Sequence, residues 1–298
     1  MPLPTSSTSL RIRFHSTGAG TKFGWPLRLW FAVELFFAVS ATLTVGLRPA
    51  DTANSFAWTI KPEVMAAFIG SFYMALGPVL ILALFAKRWE GVRVFVLPGA
   101  IFTFTQLVVT AIYWERFAVG TPPFWIWLAS YLLPPPVFVG CYLWQERRAR
   151  TEGTDLSVGA SSRFSSGPLP RWLRRGLVLL GMIFTVEAAA GLASPAWFSS
   201  WAPWKVGPLN ARALGGYYLL LGLLMLSAAL ENDVDRARLI SPFLILLLPV
   251  VAVQVRRFPE QVDWTHPRLW IVAALLAAVA VLGVGLFRGS WPRTLGKR

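Results

Sequence analysis

Of 298 residues, 55% are hydrophobic and only 14% charged, with a mean hydropathy of +0.56; a soluble domain carries roughly 25% charged residues, so the chain reads as an integral membrane protein. Lys and Arg number 28 against 14 Asp and Glu, a formal charge of +14, which on a soluble chain points to nucleic acid but here has a topological explanation. One cysteine, Cys141, excludes an intrachain disulfide, and two histidines, His15 and His266, leave no clustered His/Cys metal site, so no metal is expected.

The first 28 residues form a Ser/Thr-rich basic tail containing His15. The apolar run 29–47 is too long for a signal-peptide core and lacks a small-residue cleavage site, so it reads as a retained first span. Glu34 lies one to two turns inside it, where its side chain reaches the interface or pairs with Arg28. An aromatic-rich loop follows from Pro49 to Trp58-x-x-x-Pro62. Proline suits the first turn of a helix, whose amide is unpaired anyway, so Pro62 marks the start of the second span, 64–86, and Trp58 is expected at headgroup depth. A lid over a site is the functional alternative for this loop.

Pro78, after Gly77, predicts a kink in the second span. The third, 94–114, carries Gln106 with Thr103, Thr105 and Thr110 as candidate interhelical hydrogen-bonding groups, typically about 0.6 kcal/mol each. The fourth, 124–144, holds Pro134-Pro135-Pro136 mid-span. These rings deprive the carbonyls of Ser130, Tyr131 and Leu132 of their amides, so this span is expected to be broken rather than kinked, beside protein or a cavity. Residues 145–172, rich in Ser, Gly, Pro and Arg, read as a cytoplasmic linker.

The fifth span, 176–193, contains Glu187 about eleven residues in, roughly 16 Å at 1.5 Å per residue, near the midplane and too deep to snorkel. It is expected to be protonated, paired or hydrated, with Arg212, one turn into the sixth span (209–230), as the partner if it is paired. The loop between repeats the earlier pattern, Trp204-x-x-x-Pro208. Tyr217 and Tyr218 place hydroxyls in the sixth span, and Pro249 predicts a kink in the seventh, 239–255. Glu260, Asp263 and His266 in the next loop could form an acid/base group on the outer face but read as solvated residues. The eighth span, 269–287, precedes a basic tail, 288–298.

The N-terminal tail, the even-numbered loops and the C-terminal tail hold 20 of the 28 Lys and Arg. The positive-inside rule then places both termini in the cytoplasm, facing anionic lipid headgroups that attract each such residue by about 1 kcal/mol. Nine of 15 tryptophans fall at the opposite boundary, as in an aromatic belt. Sliding the chain on itself by 146 residues aligns Pro49 with Pro195, Trp58 with Trp204, Pro62 with Pro208 and Gly70 with Gly216. The chain thus reads as two tandem four-span repeats, 29–144 and 173–287. Because four is even, both repeats enter from the same side, in parallel orientation about an axis along the membrane normal.

Phe56-Ala57-Trp58-Thr59-Ile60-x-Pro62, opening a Gly70-containing span, resembles a motif of uncharacterised bacterial multi-pass membrane proteins. The resemblance implies no activity and brings no functional residue with it. The excess of Arg over Lys suggests a GC-rich bacterial genome, so the expected location is a bacterial plasma membrane. No phosphate loop, nucleophile elbow or His-Glu-x-x-His signature is present, and no cofactor is implied. The expected function is a small-solute transporter or transport-related protein, whose binding or pathway residues would be Glu187, Arg212, Gln106, Tyr131, Pro134, Pro135, Pro136 and Tyr218. The alternative is a non-catalytic membrane subunit or assembly protein with a membrane-protein partner, and not a nucleic-acid binder.

Overall fold

A computed structural model describes residues 20–152 and 167–289. His15, residues 153–166 of the expected linker and most of both basic tails lie outside them. The described residues contain no strand, and eight helices are long and apolar enough to cross a membrane: Trp25–Gly46, Glu63–Phe85, Arg93–Ile112, Pro122–Thr151, Arg171–Ala193, Pro208–Glu231, Val234–Arg256 and Pro267–Gly289. At 1.5 Å per residue each covers the roughly 30 Å of a hydrocarbon core. The chain is a polytopic membrane protein. Proline opens several of these helices, with Pro122, Pro208 and Pro267 as first residues and Pro62 as the cap just before the second.

The odd-numbered loops meet at one end of the bundle and the even-numbered loops meet the chain entry at the other. At the first end Ala118 N–H donates to the Ala57 carbonyl and Asp263 N–H to the Pro203 carbonyl, both at 2.8 Å. At the second, Trp89 N–H donates to the Thr21 carbonyl (3.0 Å) and Val234 N–H to the Gly167 carbonyl (3.4 Å).

The second and sixth spans are the most enclosed, the third and seventh less so, and the first, fourth, fifth and eighth form the outside. The first packs on the second, the third on the fourth, the fifth on the sixth and the seventh on the eighth. The second also packs on the seventh and the third on the sixth. Small residues allow this closeness where hydrocarbon offers no hydrophobic drive for association. A Cβ on Gly70 would lie 2.4 Å from Gly46 Cα, and one on Gly222 would lie 2.8 Å from the Gly181 carbonyl.

Three expectations need correction. The fourth span is interrupted at one residue only: helices Pro122–Leu132 and Pro134–Thr151 flank Leu133, whose own dihedrals are helical. The three prolines sit in the first turn of the second segment, where a missing amide is tolerated, so the span is kinked rather than broken. It also runs on to Thr151, beyond the expected end at residue 144, because Gln145-Glu146-Arg147-Arg148-Ala149-Arg150 are good helix formers and Arg148 pairs with Glu152 at 2.7 Å.

Second, the fifth helix begins at Arg171, not 176. Glu187 therefore lies sixteen residues from the helix start and six from its end, about 9 Å along the axis from that end and off the middle of the helix. Third, Trp58 is a core residue, 3% exposed. It packs with Phe56, Phe117 and Trp127 at ring-centroid distances of 4.7–5.2 Å, because the loop folds inward over the helix ends instead of lying at headgroup depth. Trp114, Trp125, Trp197, Trp201 and Trp270 do have exposed rings at helix ends.

Candidate functional site

Glu187 is paired, but with Arg268 at the head of the eighth span. Glu187 Oε2 accepts from the guanidinium at 2.7 Å, and the same guanidinium lies 4.5 Å over the Phe198 ring. Arg212 is engaged elsewhere. Its Nε donates to the Leu192 carbonyl (2.9 Å), and its NH1 donates to the Tyr113 hydroxyl beneath a stacked ring. The expected Glu187–Arg212 partnership is thus replaced, because the eighth helix packs on the fifth and presents a cation level with the acid. Proximity of Pro267-Arg268 to the helix start was the available signal.

Gln106 bridges the third and sixth spans, donating to the Ala213 carbonyl at 2.9 Å. This is an interhelical hydrogen bond of the kind expected. Thr110 takes part in a different contact, accepting from the Trp127 indole at 2.9 Å. Trp58 donates across to Asn210 at the head of the sixth span (3.0 Å), and Trp204 donates to the Met65 sulfur at the head of the second (3.4 Å). Pro62 and Pro208 set those helix starts. Asp263 accepts from the Thr265 hydroxyl and amide, which hold its carboxyl below the usual aspartate range, and His266 Nδ1 accepts from the Arg268 amide (3.2 Å). These two shape a loop and a helix start and do not join Glu260 in an acid/base group. Among the described residues no group of three His, Cys, Asp or Glu side chains is placed to hold a metal.

Tyr131 joins a buried hydroxyl chain. Its OH lies 2.7 Å from Tyr73 OH, which accepts from Tyr217 OH at 2.5 Å, so the fourth, second and sixth spans are tied together. Tyr218, the next residue, instead packs on Phe184 and Phe198 and lines two cavities beside the Glu187–Arg268 pair, of about 240 and 220 Å³.

A third cavity, of about 210 Å³, lies within the first four spans. It runs from Ser55, Phe56 and Pro122 at the odd-loop end to Leu80 and Glu34. Tyr73, Trp127 and Tyr131 form part of its wall. Glu34 Oε1 and the indole N–H of Trp30, one turn away, are both fully buried and lie near each other without the geometry of a hydrogen bond. Two irregular backbones flank this space. The first helix ends in a π-helical turn, Thr42–Gly46, beside Thr44, and the fourth kinks where Ser130 and Tyr131 line the cavity. Irregular backbone at membrane depth is tolerated where it faces protein or a cavity, and π-turns gather at functional sites.

A second missed feature is a charge network at the even-loop end. Arg93 lies 2.9 Å from Glu146 and 3.5 Å from Glu231. Arg236 is also 3.5 Å from Glu231, and the Trp89 indole donates to Glu146 at 2.9 Å. All four charged groups are mostly buried. Sequence position assigned them to solvated loops, since nothing local reveals that four helix ends converge there. Compared with known protein families, curated proteins and solved structures, the chain matches none.

Proposed function

We propose that this membrane protein is a small-solute transporter or transport-related protein, and that its solute site is the cavity ending at Glu34. The observation that carries this reading is a carboxyl oxygen without a partner at the end of a membrane-depth cavity. Burying such a group is costly unless it meets a ligand, a proton or water. Glu187, with its charge matched by Arg268, serves to hold the fifth and eighth helices together.

The reading includes a chain built as two tandem four-span repeats in parallel orientation, in a bacterial plasma membrane with both termini in the cytoplasm. Recurrence supports the repeats. The loop bond Ala118 to Ala57 is matched by Asp263 to Pro203, and Trp89 to Thr21 by Val234 to Gly167, at the offset of about 146 residues that aligns the halves. The helix neighbours and the order of enclosure repeat in the same way. Each repeat also sends its loop tryptophan to the other repeat's second helix.

That interlocking favours a second reading, a non-catalytic subunit whose halves stay fixed. The bonds from Trp58 to Asn210, Gln106 to Ala213 and Gln254 to the Gly46 carbonyl (3.1 Å) all cross between halves. Transport would then run within the first repeat and not by rocking one half on the other. In a Cys141→Ser background, a cysteine placed at Ser130 should react with a small impermeant thiol reagent from both faces of sealed vesicles. Reaction from one face only, together with a stoichiometric partner after mild solubilisation, would favour the subunit.

A further inference from the structure

We propose that the Glu34 cavity takes a small organic ammonium ion; this rests on the reading of that cavity as the solute site and adds the chemical class of its ligand. Among the residues lining the cavity, Glu34 is the one charged side chain, with no Lys, Arg or His facing it. An ionised Glu34 would repel an anion, and a neutral solute would leave it either uncompensated or protonated, so a cation is the solute that favours the charged carboxylate. A monovalent cation matches it.

The walls select further. Phe37, Phe56, Tyr73, Phe102, Trp127 and Tyr131 line the space, and aromatic faces attract an ammonium, more strongly where water is excluded. The hydroxyls of Thr44, Thr103 and Ser130 also line the cavity, but each is turned to a backbone carbonyl of its own helix, whereas the rings offer an alkylated or benzylic ammonium a surface for its carbon and Glu34 a match for its charge. At about 210 Å³ the cavity has room for roughly seven waters of about 30 Å³ each, which limits the ligand to about the bulk of a single-ring amine.

The second repeat differs in charge. Its cavities beside Glu187 also contain Arg268, so the acid there is already neutralised and carries no demand for a cation. Glu187 therefore serves as an internal control for any effect of removing a carboxylate from this bundle.

The test is calorimetric titration of the purified full chain with benzyltrimethylammonium, alongside its neutral carbon isostere neopentylbenzene and the anion benzenesulfonate. Saturable binding of the ammonium is expected, at least tenfold tighter than either control. It should weaken at least tenfold in Glu34→Gln and stay within twofold in Glu187→Gln. Ser130→Leu, which leaves Glu34 in place and narrows the cavity, should also weaken it, so the outcome does not hang on one variant's folding. Binding of the neutral isostere with equal affinity, undiminished binding in Glu34→Gln, or no ammonium binding by the folded wild type would overturn the proposal. The two-sided labelling of a cysteine at Ser130 uses no ligand. Access from both faces without ammonium binding would therefore reject the ligand class while sparing the transport reading, and binding with access from one face would do the reverse.

Discussion

At Glu187 the carboxylate is held 2.7 Å from Arg268, whose side chain is 10% exposed against 34% for the acid, and losing the acid strands the enclosed guanidinium. Glu187→Gln and Arg268→Gln should each destabilise the protein by about 2 kcal/mol, the scale of a charged hydrogen bond. The double variant should recover part of that loss. Arg212→Gln should add independently to Glu187→Gln, since Arg212 bonds Leu192 and Tyr113 instead. Thermal melts of the singles and both doubles in one detergent check this, and non-additivity between Glu187 and Arg212 would contradict the pairing. The presence of an acid within the fifth span was legible in the sequence. Its partner was not, because the choice between two arginines of similar depth depends on which helix packs beside the fifth and on how each is rotated.

Between elements, the closest approach is set by glycine. A methyl at Gly70 would meet Gly46 Cα at 2.4 Å, so Gly70→Ala should force the first two spans apart and cost about 1–3 kcal/mol, as overpacking does. At Gly77, in the same helix, an added methyl would have nothing within 4 Å. There Gly77→Ala should be neutral or stabilise by up to about 1 kcal/mol through reduced backbone freedom in the unfolded chain. Chemical denaturation of the two variants side by side separates contact from propensity. The same contrast applies to the prolines. Apolar run length located the helices, with ends off by up to seven residues in the fourth span, yet whether Pro134 to Pro136 break a span or start its second half was decided by a helical Leu133 that keeps the two segments continuous.

Across the whole molecule, the buried network of Arg93, Glu146, Glu231 and Arg236 joins the fourth span of one half to the sixth of the other. Arg93→Gln leaves two carboxylates short of a cation and should destabilise by about 3–5 kcal/mol, as breaking a buried pair does, with Arg93→Lys losing less. Melts of both variants measure it. Sidedness has its own test. In the Cys141→Ser background, cysteines at Ser161 and Glu260 should label from opposite faces with an impermeant reagent, Glu260→Cys alone reacting in intact cells. Equal labelling would overturn the orientation drawn from the 20 to 8 division of Lys and Arg.

The number, length and approximate limits of the spans were determined by sequence alone, because a hydrocarbon layer imposes a minimum apolar length that can be measured directly along the chain. So was the inventory of polar groups inside them, which is short. The worth of each group was decided by tertiary structure. Glu187, the more prominent acid by depth, turned out to be matched by Arg268, while Glu34, close enough to the boundary to look solvated, ends in a cavity with an oxygen unpaired. Trp58 passed from the membrane surface to the core for the same reason. Depth along a helix follows from counting residues, but whether a side chain faces lipid, a partner or empty space depends on the rotation and neighbours of its helix, and the hydrophobicity of a span that is apolar all round carries almost no record of either.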